Sequence, residues 1–580
     1  MKKFIYSVAA AALLFTTSCS DFLDRAPQDK LSPATFWQTE SDAYMALTGV
    51  YNSLNSIYHD GHWTGNNCVM MDAFSDNYFD NFSWEGYSVL CTGNLSANNT
   101  GFAGSLFTFN DIRACNEYLE MEGNVNWTDT KTQAQYVAEA KTVRANLYLY
   151  KSEWYGDFPL ITKTLDLEEA AAITRAPQAD VRAQVVKDLT EAIPDLPDRL
   201  DQSQGRISKQ FAQGLLMRTY LWQSKYSEAA TYAKAILDYF DGKGVDLNPS
   251  YLGMFAQGSQ YSDDVIFDFA FVANTDREWT YGAVPFVANG KLGGWSSVIP
   301  TVDLMDEFEC TDGLTKEESP LYDEKHPFLN RDPRLRASIV YPGQVFFGYE
   351  DSQEGCYNSM PQFLGSEKNG DYWENAGNAS KSGLQLGKYF QSDNINSAAL
   401  DHFSLDFKVM RLGEVILTLA ECYIEQNKLG DAANLIDRIR VRAGMPKVAD
   451  DVKASQDKMR KLIRRERRVE LNGEGLRRFD MVRWRVDSNG DPVASGGTPY
   501  IVWKFSKAFG IEHLDGYIEN YKDDNGDWVA CVTGRTGKDP DGKSAINIKN
   551  FQSFKEYQIF WPVGQGTIDV NPSIQQTAGY

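Results

Sequence analysis

The sequence predicts a mainly α-helical protein, a scaffold of helical hairpins carrying a loop-rich lobe with minor β structure. Three observations predict it. Six segments carry apolar residues at three- and four-residue spacing, two of them share an internal repeat, and the stretch between those two changes texture. The six are Ala43–Ile57, Gln133–Trp154, Val181–Ile193, Phe211–Tyr239, Val409–Ala443 and Lys453–Asn472, each with the periodicity of a helix that buries one face. Pro194 and Pro197 close the third, and Gly444 with Pro446 closes the fifth, because proline cannot continue a helix and glycine suits its C-terminal turn. From about 241 to 408, Gly, Asn, Ser, Asp and aromatics dominate and turn dipeptides such as Asn289-Gly290 and Asn369-Gly370 recur. A second loop-rich stretch, with β character, runs from about Asp487 to Asn550.

The repeat aligns Thr219–Leu237 without gaps on Cys422–Arg440, matching Tyr220 with Tyr423, Gln223 with Gln426, Lys225 with Lys428, Ala229-Ala230 with Ala432-Ala433 and Ile236 with Ile439. Each copy reads as a helix, a tight turn and a second helix whose alanine pair permits close packing. This resembles the tetratricopeptide hairpin. Loops carried on such rigid elements are where binding surfaces concentrate. Arginines 464, 465, 467, 468, 477 and 478 alternate with Glu466, Glu470 and Glu474 at helical spacing, which predicts an ion-paired structural helix rather than an anion site.

The beginning of the chain has three parts. Lys2 and Lys3 precede an apolar run, Phe4–Phe15, that falls short of the roughly 20 residues of a membrane-spanning helix and matches a secretory signal. Thr16, Thr17 and Ser18 then lead to Cys19. That order is similar to the lipobox of bacterial lipoproteins, which implies removal of 1–18 and fatty-acid (palmitate) modification of Cys19; the competing reading is a plain signal with a chance cysteine. Acyl chains contribute about 0.8 kcal/mol per buried CH₂ and would tether the mature protein to a membrane. Ser20–Pro27 reads as a flexible leash. The net charge of −22 argues against sequence-independent nucleic-acid binding, which needs Lys and Arg to neutralise phosphates. Besides Cys19, seven cysteines remain, an odd number with no CxxC pair, and they read mainly as buried small hydrophobes. A Cys68–Cys91 disulfide is allowed but not specified.

At Ile463–Trp484 the chain resembles a known family. IRRERRVELNGEGLRRFDMVRW is similar to the signature of SusD/RagB lipoproteins at Glu466, Arg467, Glu470, Leu471, Glu474, Gly475, Arg477, Asp480, Arg483 and Trp484. Cys19–Asp24, Arg144-Ala145, Tyr155–Pro159, Gly294-Trp295, Phe308–Gly313 and the closing Trp561-Pro562-Val563 with Gly579-Tyr580 resemble further family segments in the same order. The resemblance implies four tetratricopeptide-like hairpins under a loop-rich lobe. It also implies a cell-surface, lipid-anchored outer-membrane protein that binds an oligosaccharide, caps a SusC-like TonB-dependent transporter, and does no bond-breaking chemistry. The implied organisation is a signal peptide at 1–18, a lipid-anchored linker at 19–40, an N-terminal helical region at 41–240, and a C-terminal region with the binding loops at 241–580. A surface glycoside hydrolase and a peptide-binding member of the same family are the alternatives.

Independent signs of catalysis are sparse. The five histidines, 59, 62, 326, 402 and 513, form no HExxH pair, and neither GxSxG nor GxxxxGK[ST] occurs. Asp306, Glu307, Glu309 and Asp312 would serve a glycosidase only if two lay at the right separation in space. No catalytic residue and no cofactor is assigned. Asp523-Asn525-Asp527 and Asp487-Asn489-Asp491 have partial calcium-loop spacing but lack the glycine at position six, so polar turns are preferred over structural calcium. Sugars need flat aromatic faces beside amides and carboxylates. Three loop clusters offer them: Asp76, Asn77, Tyr78, Trp84 and Tyr87; Arg277, Trp279 and Tyr281 with Trp295; and Asn369, Asp371, Tyr372 and Trp373. The family resemblance favours Trp84 and Trp295 among them.

Overall fold

A computed structural model of the chain describes residues 36–58, 67–82, 89, 95–272, 275, 286–287, 293–345, 355–360, 362–363, 371–372, 378–390, 404–506, 512–536 and 554–580. Side-chain caps decide where its helices begin. Thr39 opens α1 (Glu40–Asn52) with a reciprocal capping box to Asp42, satisfying two amides that have no partner inside the helix. Asp129 caps α3 (Thr130–Tyr155), which follows α2 (Asn110–Met121) and ends at Gly156 with φ +71°. A Cβ at Gly156 would meet the Phe560 ring at 3.3 Å, so glycine there provides both the left-handed turn and room for the closing segment. Next come α4 (Gln178–Ala192), α5 (Lys209–Leu221), capped by Ser208, and α6 (Tyr226–Gly242). Later in the chain are α7 (Leu412–Glu425), α8 (Leu429–Arg442), α9 (Gln456–Leu471), capped by Ser455, and α10 (Arg477–Arg483).

Four hairpins follow, α1 with α2, α3 with α4, α5 with α6 and α7 with α8. Each also packs on the next, through α2 on α3, α4 on α5 and α6 on α7. The helices therefore form one continuous scaffold, and the side chains buried beneath them, from Trp37 to Ile574, form a single apolar cluster.

The repeat is reproduced in atomic detail. Ser224 and Asn427 occupy matching positions in the two turns, both left-handed, with φ +56° and +58°. Lys225 donates its N–H to Tyr220 O at 2.9 Å, and Lys428 donates to Tyr423 O at 2.8 Å. Two helical stretches are more broken than the periodicity suggests. Val409 is not helical: Phe407–Arg411 forms β4, paired antiparallel with β2 (Val265–Phe269), because a short apolar run cannot be assigned to helix or strand from period alone. The first stretch breaks at Ser53-Leu54 and resumes as a short helix, Asn55–Tyr58.

The remaining β structure is small and sits in the loop-rich parts. β1 (Tyr78–Asp80) pairs with β3 (Val298–Pro300), and β5 (His513–Lys522) forms a hairpin with β6 (Trp528–Thr536). Both loops with calcium-like spacing are hairpin turns in which the first aspartate accepts backbone amides. Asp523 takes them from Asn525 and Asp527, and Asp487 from Asn489 and Asp491. Cys115, Cys310, Cys356, Cys422 and Cys531 are buried; Cys19 and the Cys68–Cys91 pairing lie outside the described side chains.

Candidate functional site: a buried ion-pair frame under a loop platform

The Ile463–Trp484 segment holds the frame. It is largely buried, and most of its charges are paired within the fold. Glu470 meets Arg334, Arg411 and Arg442 at 3.1, 2.9 and 2.5 Å. Glu466 meets Arg334 and Arg440 at 3.0 and 2.5 Å, and Arg467 meets Asp480 at 2.9 Å. Burial works to raise these carboxyls, and the guanidiniums around them overcome it, holding Glu466 and Glu470 below the usual carboxylate range. This agrees with an ion-paired structural helix.

Asp76 and Asn77, which the sequence placed in a sugar-binding loop, belong to this frame instead. Asp76 is 0% exposed and pairs with Arg477 at 2.7 Å and Arg468 at 3.4 Å. Asn77 is equally buried and accepts from Arg468 Nε at 2.8 Å. The reason is electrostatic: two arginines of the α9–α10 segment are taken out of water and need acceptors, and the start of the early loop supplies them. The same arginine holds Asp303 and Glu307 at 2.7 and 3.0 Å. The acidic run considered for hydrolysis is engaged as well, Asp306 by Lys316 and Arg535, and Glu309 by Arg440 and Arg465.

Next to the frame, described residues close in sequence to Trp84, Trp295 and Trp373 are hydrogen-bonded together into a small platform. β1, at the base of the early loop, pairs with β3, which follows Trp295, in the register Tyr78 to Pro300. Asn81 continues this ladder by donating its N–H to Ser297 O at 2.8 Å. Its side-chain amide donates to Ala379 O at 3.1 Å, and its own carbonyl accepts from Lys381 Nζ at 2.7 Å. Gln385 donates to Ser296 Oγ at 2.8 Å, and the Lys381 carbonyl lies 2.9 Å from His513 Nδ1. The Tyr372 ring, itself buried, stands edge-on to His513 with centroids 6.4 Å apart. One asparagine thus ties together the chain segments leading to Trp84, Trp295 and Trp373. Sequence reading passed over Asn81; its only signal was a position just beyond the strand-like Tyr78–Asp80.

Trp295 is partly exposed on this platform. Its neighbours fix its course: a Cβ on Gly294 would lie 2.1 Å from Val287 O, and Ser296 has φ +49° with its N–H donated to that same carbonyl. The sequence-predicted Trp84, Tyr87, Trp279, Tyr281 and Trp373 lie outside the described residues. A separate groove of about 660 Å³ between α2 and the 566–574 segment is walled mainly by aliphatic side chains such as Ile112, Ile161, Ile173 and Val570, which suits a sugar poorly. Among the described residues, no helix is long and apolar enough to cross a membrane.

The described residues thus form a scaffold of helical hairpins whose buried charged frame adjoins a small loop platform. The comparisons make this specific. Residues 256–580 match the model of the SusD family, and residues 21–221 match a family described as "Starch-binding associating with outer membrane". The chain belongs to the SusD family. It is 26% identical to the SusD-like protein P25 of Formosa agariphila over 501 residues, covering 81% of this chain and 87% of that one. A SusD-like protein of Bacteroides ovatus is 25% identical over 512 residues, with 83% of each chain covered. Among solved structures, a SusD-like carbohydrate-binding protein from Bacteroides fragilis superposes with a TM-score of 0.71 at 26% identity, over 93% of this chain and all of that one. A laminarin-binding SusD-like protein shares the fold, with a TM-score of 0.62 at 19% identity over 94% of this chain and all of the other.

Proposed function

We propose that this protein is a non-catalytic, cell-surface lipoprotein that binds an oligosaccharide on its loop platform. It would cap a SusC-like TonB-dependent transporter and pass the glycan to it for import across the outer membrane. The observation that carries the binding role is the joining, through Asn81, of the segments that lead to Trp84, Trp295 and Trp373. Backbone close in sequence to aromatic residues scattered over some 300 positions is thereby held together, which supports a binding face for a sugar chain crossing several subsites. The family match and the carbohydrate-binding relative support the ligand class. The Cys19 motif and the family description that mentions the outer membrane support the location.

Trp84 and Trp295 are the proposed stacking residues, with Trp279, Tyr281, Tyr87 and Trp373 around them. The test is a glycan-array screen of the purified chain, coupled to product analysis of any bound oligosaccharide. Saturable binding without products is expected, falling by about fivefold or more in Trp84→Ala and Trp295→Ala, consistent with ~1 kcal/mol or more for a stacked ring. Unchanged affinity in both folded variants removes the site, and sugar cleavage removes the non-catalytic reading.

A further inference from the structure

On the β5–β6 hairpin, further along the strands than His513, three side chains of different chemistry converge. His326 comes from the turn that follows Asp323, Glu519 from β5 and Cys531 from β6, and their ligating atoms lie within 4.8 Å of one another. His326 Nε2 is 3.5 Å from Glu519 Oε2, and the Cys531 side chain is buried. The convergence is built by the backbone: Val532 donates its N–H to Lys325 O at 2.7 Å, docking the turn onto the strand that carries Cys531.

Two further details point to a ligand. The Asp323 carboxylate holds His326 Nδ1 at 2.7 Å and also accepts the Lys325 amide at 2.9 Å, so the turn and the ring orientation are set together. A carboxylate on Nδ1 keeps the proton there and leaves the Nε2 lone pair free, the arrangement found behind metal-binding imidazoles. That Nε2 is shielded from solvent and makes no hydrogen bond.

From this geometry we propose that His326, Glu519 and Cys531 form a zinc site with one open position. One imidazole nitrogen, one carboxylate oxygen and one thiolate are ligands zinc accepts, whereas calcium and magnesium take oxygen alone. In a tetrahedron with zinc bonds of about 2.0–2.3 Å the ligand atoms stand roughly 3.4 Å apart, so the 3.5 Å between nitrogen and oxygen fits and the sulfur has only a short distance to close. Binding replaces the thiol proton of Cys531 by the metal and releases that proton to buffer. The thiolate and carboxylate neutralise the ion. The site clips the 323–326 turn to the hairpin, and the fourth position is left for a water molecule.

Cobalt titration of the detergent-purified full chain, carrying a histidine-free tag, tests the site. A thiolate-to-cobalt charge-transfer band is expected to saturate at about one equivalent and to be bleached by zinc. Cys531→Ser should abolish the band. Asp323→Asn, which positions His326 without touching the metal, should weaken binding by about 10–100-fold while keeping the band at saturation. His326→Ala, on a partly exposed turn, provides a variant whose folding does not depend on the strand and should weaken binding further. A wild-type chain with native circular dichroism and no band overturns the proposal. So does a band that persists in Cys531→Ser, or an affinity that His326→Ala leaves unchanged.

Discussion

The α5–α6 and α7–α8 hairpins share one turn and differ in what holds them. In both, a left-handed residue reverses the chain and a lysine N–H closes on a tyrosine carbonyl. Apart from the buried Arg218–Glu414 pair that joins the two, the first is fixed by rings: Trp222 stacks on Phe479 at 4.2 Å, and Phe211 on Phe267 at 4.3 Å. The second is fixed by buried charge, through Glu421 with Arg483, Arg440 with Glu466 and Arg442 with Glu470. The difference comes from the neighbour, since α7 and α8 pack on α9 and its arginines and glutamates. A local sequence code therefore settles the turn, while the partner surface settles the chemistry of attachment.

The comparison breaks most visibly at Glu470. Glu470→Ala removes the carboxylate shared by Arg334, Arg411 and Arg442 and leaves their charges buried without it. A loss of about 3–5 kcal/mol in urea unfolding is expected. A loss below 1 kcal/mol would mean that charge does not anchor the second hairpin.

Acid should separate the two hairpins by less, about 1–3 kcal/mol. Glu421, Glu466, Glu470 and Glu474 are fully buried, which works to raise them, yet the surrounding arginines, with Lys388, hold all four below the usual value. A carboxyl lowered in the folded state contributes stability above its unfolded pKa of about 4.3, and that contribution is lost as pH falls through the folded value. Amide exchange between pH 6 and pH 3, corrected for intrinsic rates, should show α7–α8 losing protection ahead of α5–α6. Equal loss in both would remove the distinction.

The smallest effect concerns the turns. Ser224→Gly should stabilise by ~0.5–1 kcal/mol, because serine is strained at positive φ, while Asn427→Gly should gain only a few tenths, because asparagine tolerates that region. Thermal melts of the two variants measure the gap, and a larger gain from Asn427→Gly would contradict it.

Much of the fold was legible because hairpins are local. The repeat placed both turns within the correct few residues, and the apolar spacing located α3, α4 and α9 to within a few positions at either end. Strand β4 was missed because its partner, β2, lies far away in sequence. The fate of Asp76 was hidden for the same reason: an Asp-Asn-Tyr run in a loop looks alike whether it faces a sugar or Arg477, and Arg477 is 401 residues distant. Asn81 shows the limit from the other side. Its role rests on partners 216 to 300 positions away, and nothing in its immediate sequence marks it as a junction. The metal-binding trio was equally hidden, since His326 lies nearly two hundred residues from Glu519 and no ligand spacing connects them.

One buried pair sets a timetable. Arg218, on α5, gives its guanidinium to Glu414, on α7, at 2.7 Å with both side chains nearly fully buried. The two are separated by 196 residues. Until α7 docks, the arginine on α5 lacks this counter-charge. Closing the long loop between them costs entropy before the pair rewards it. The earlier hairpin therefore receives its buried counter-charge only when the later one docks against it.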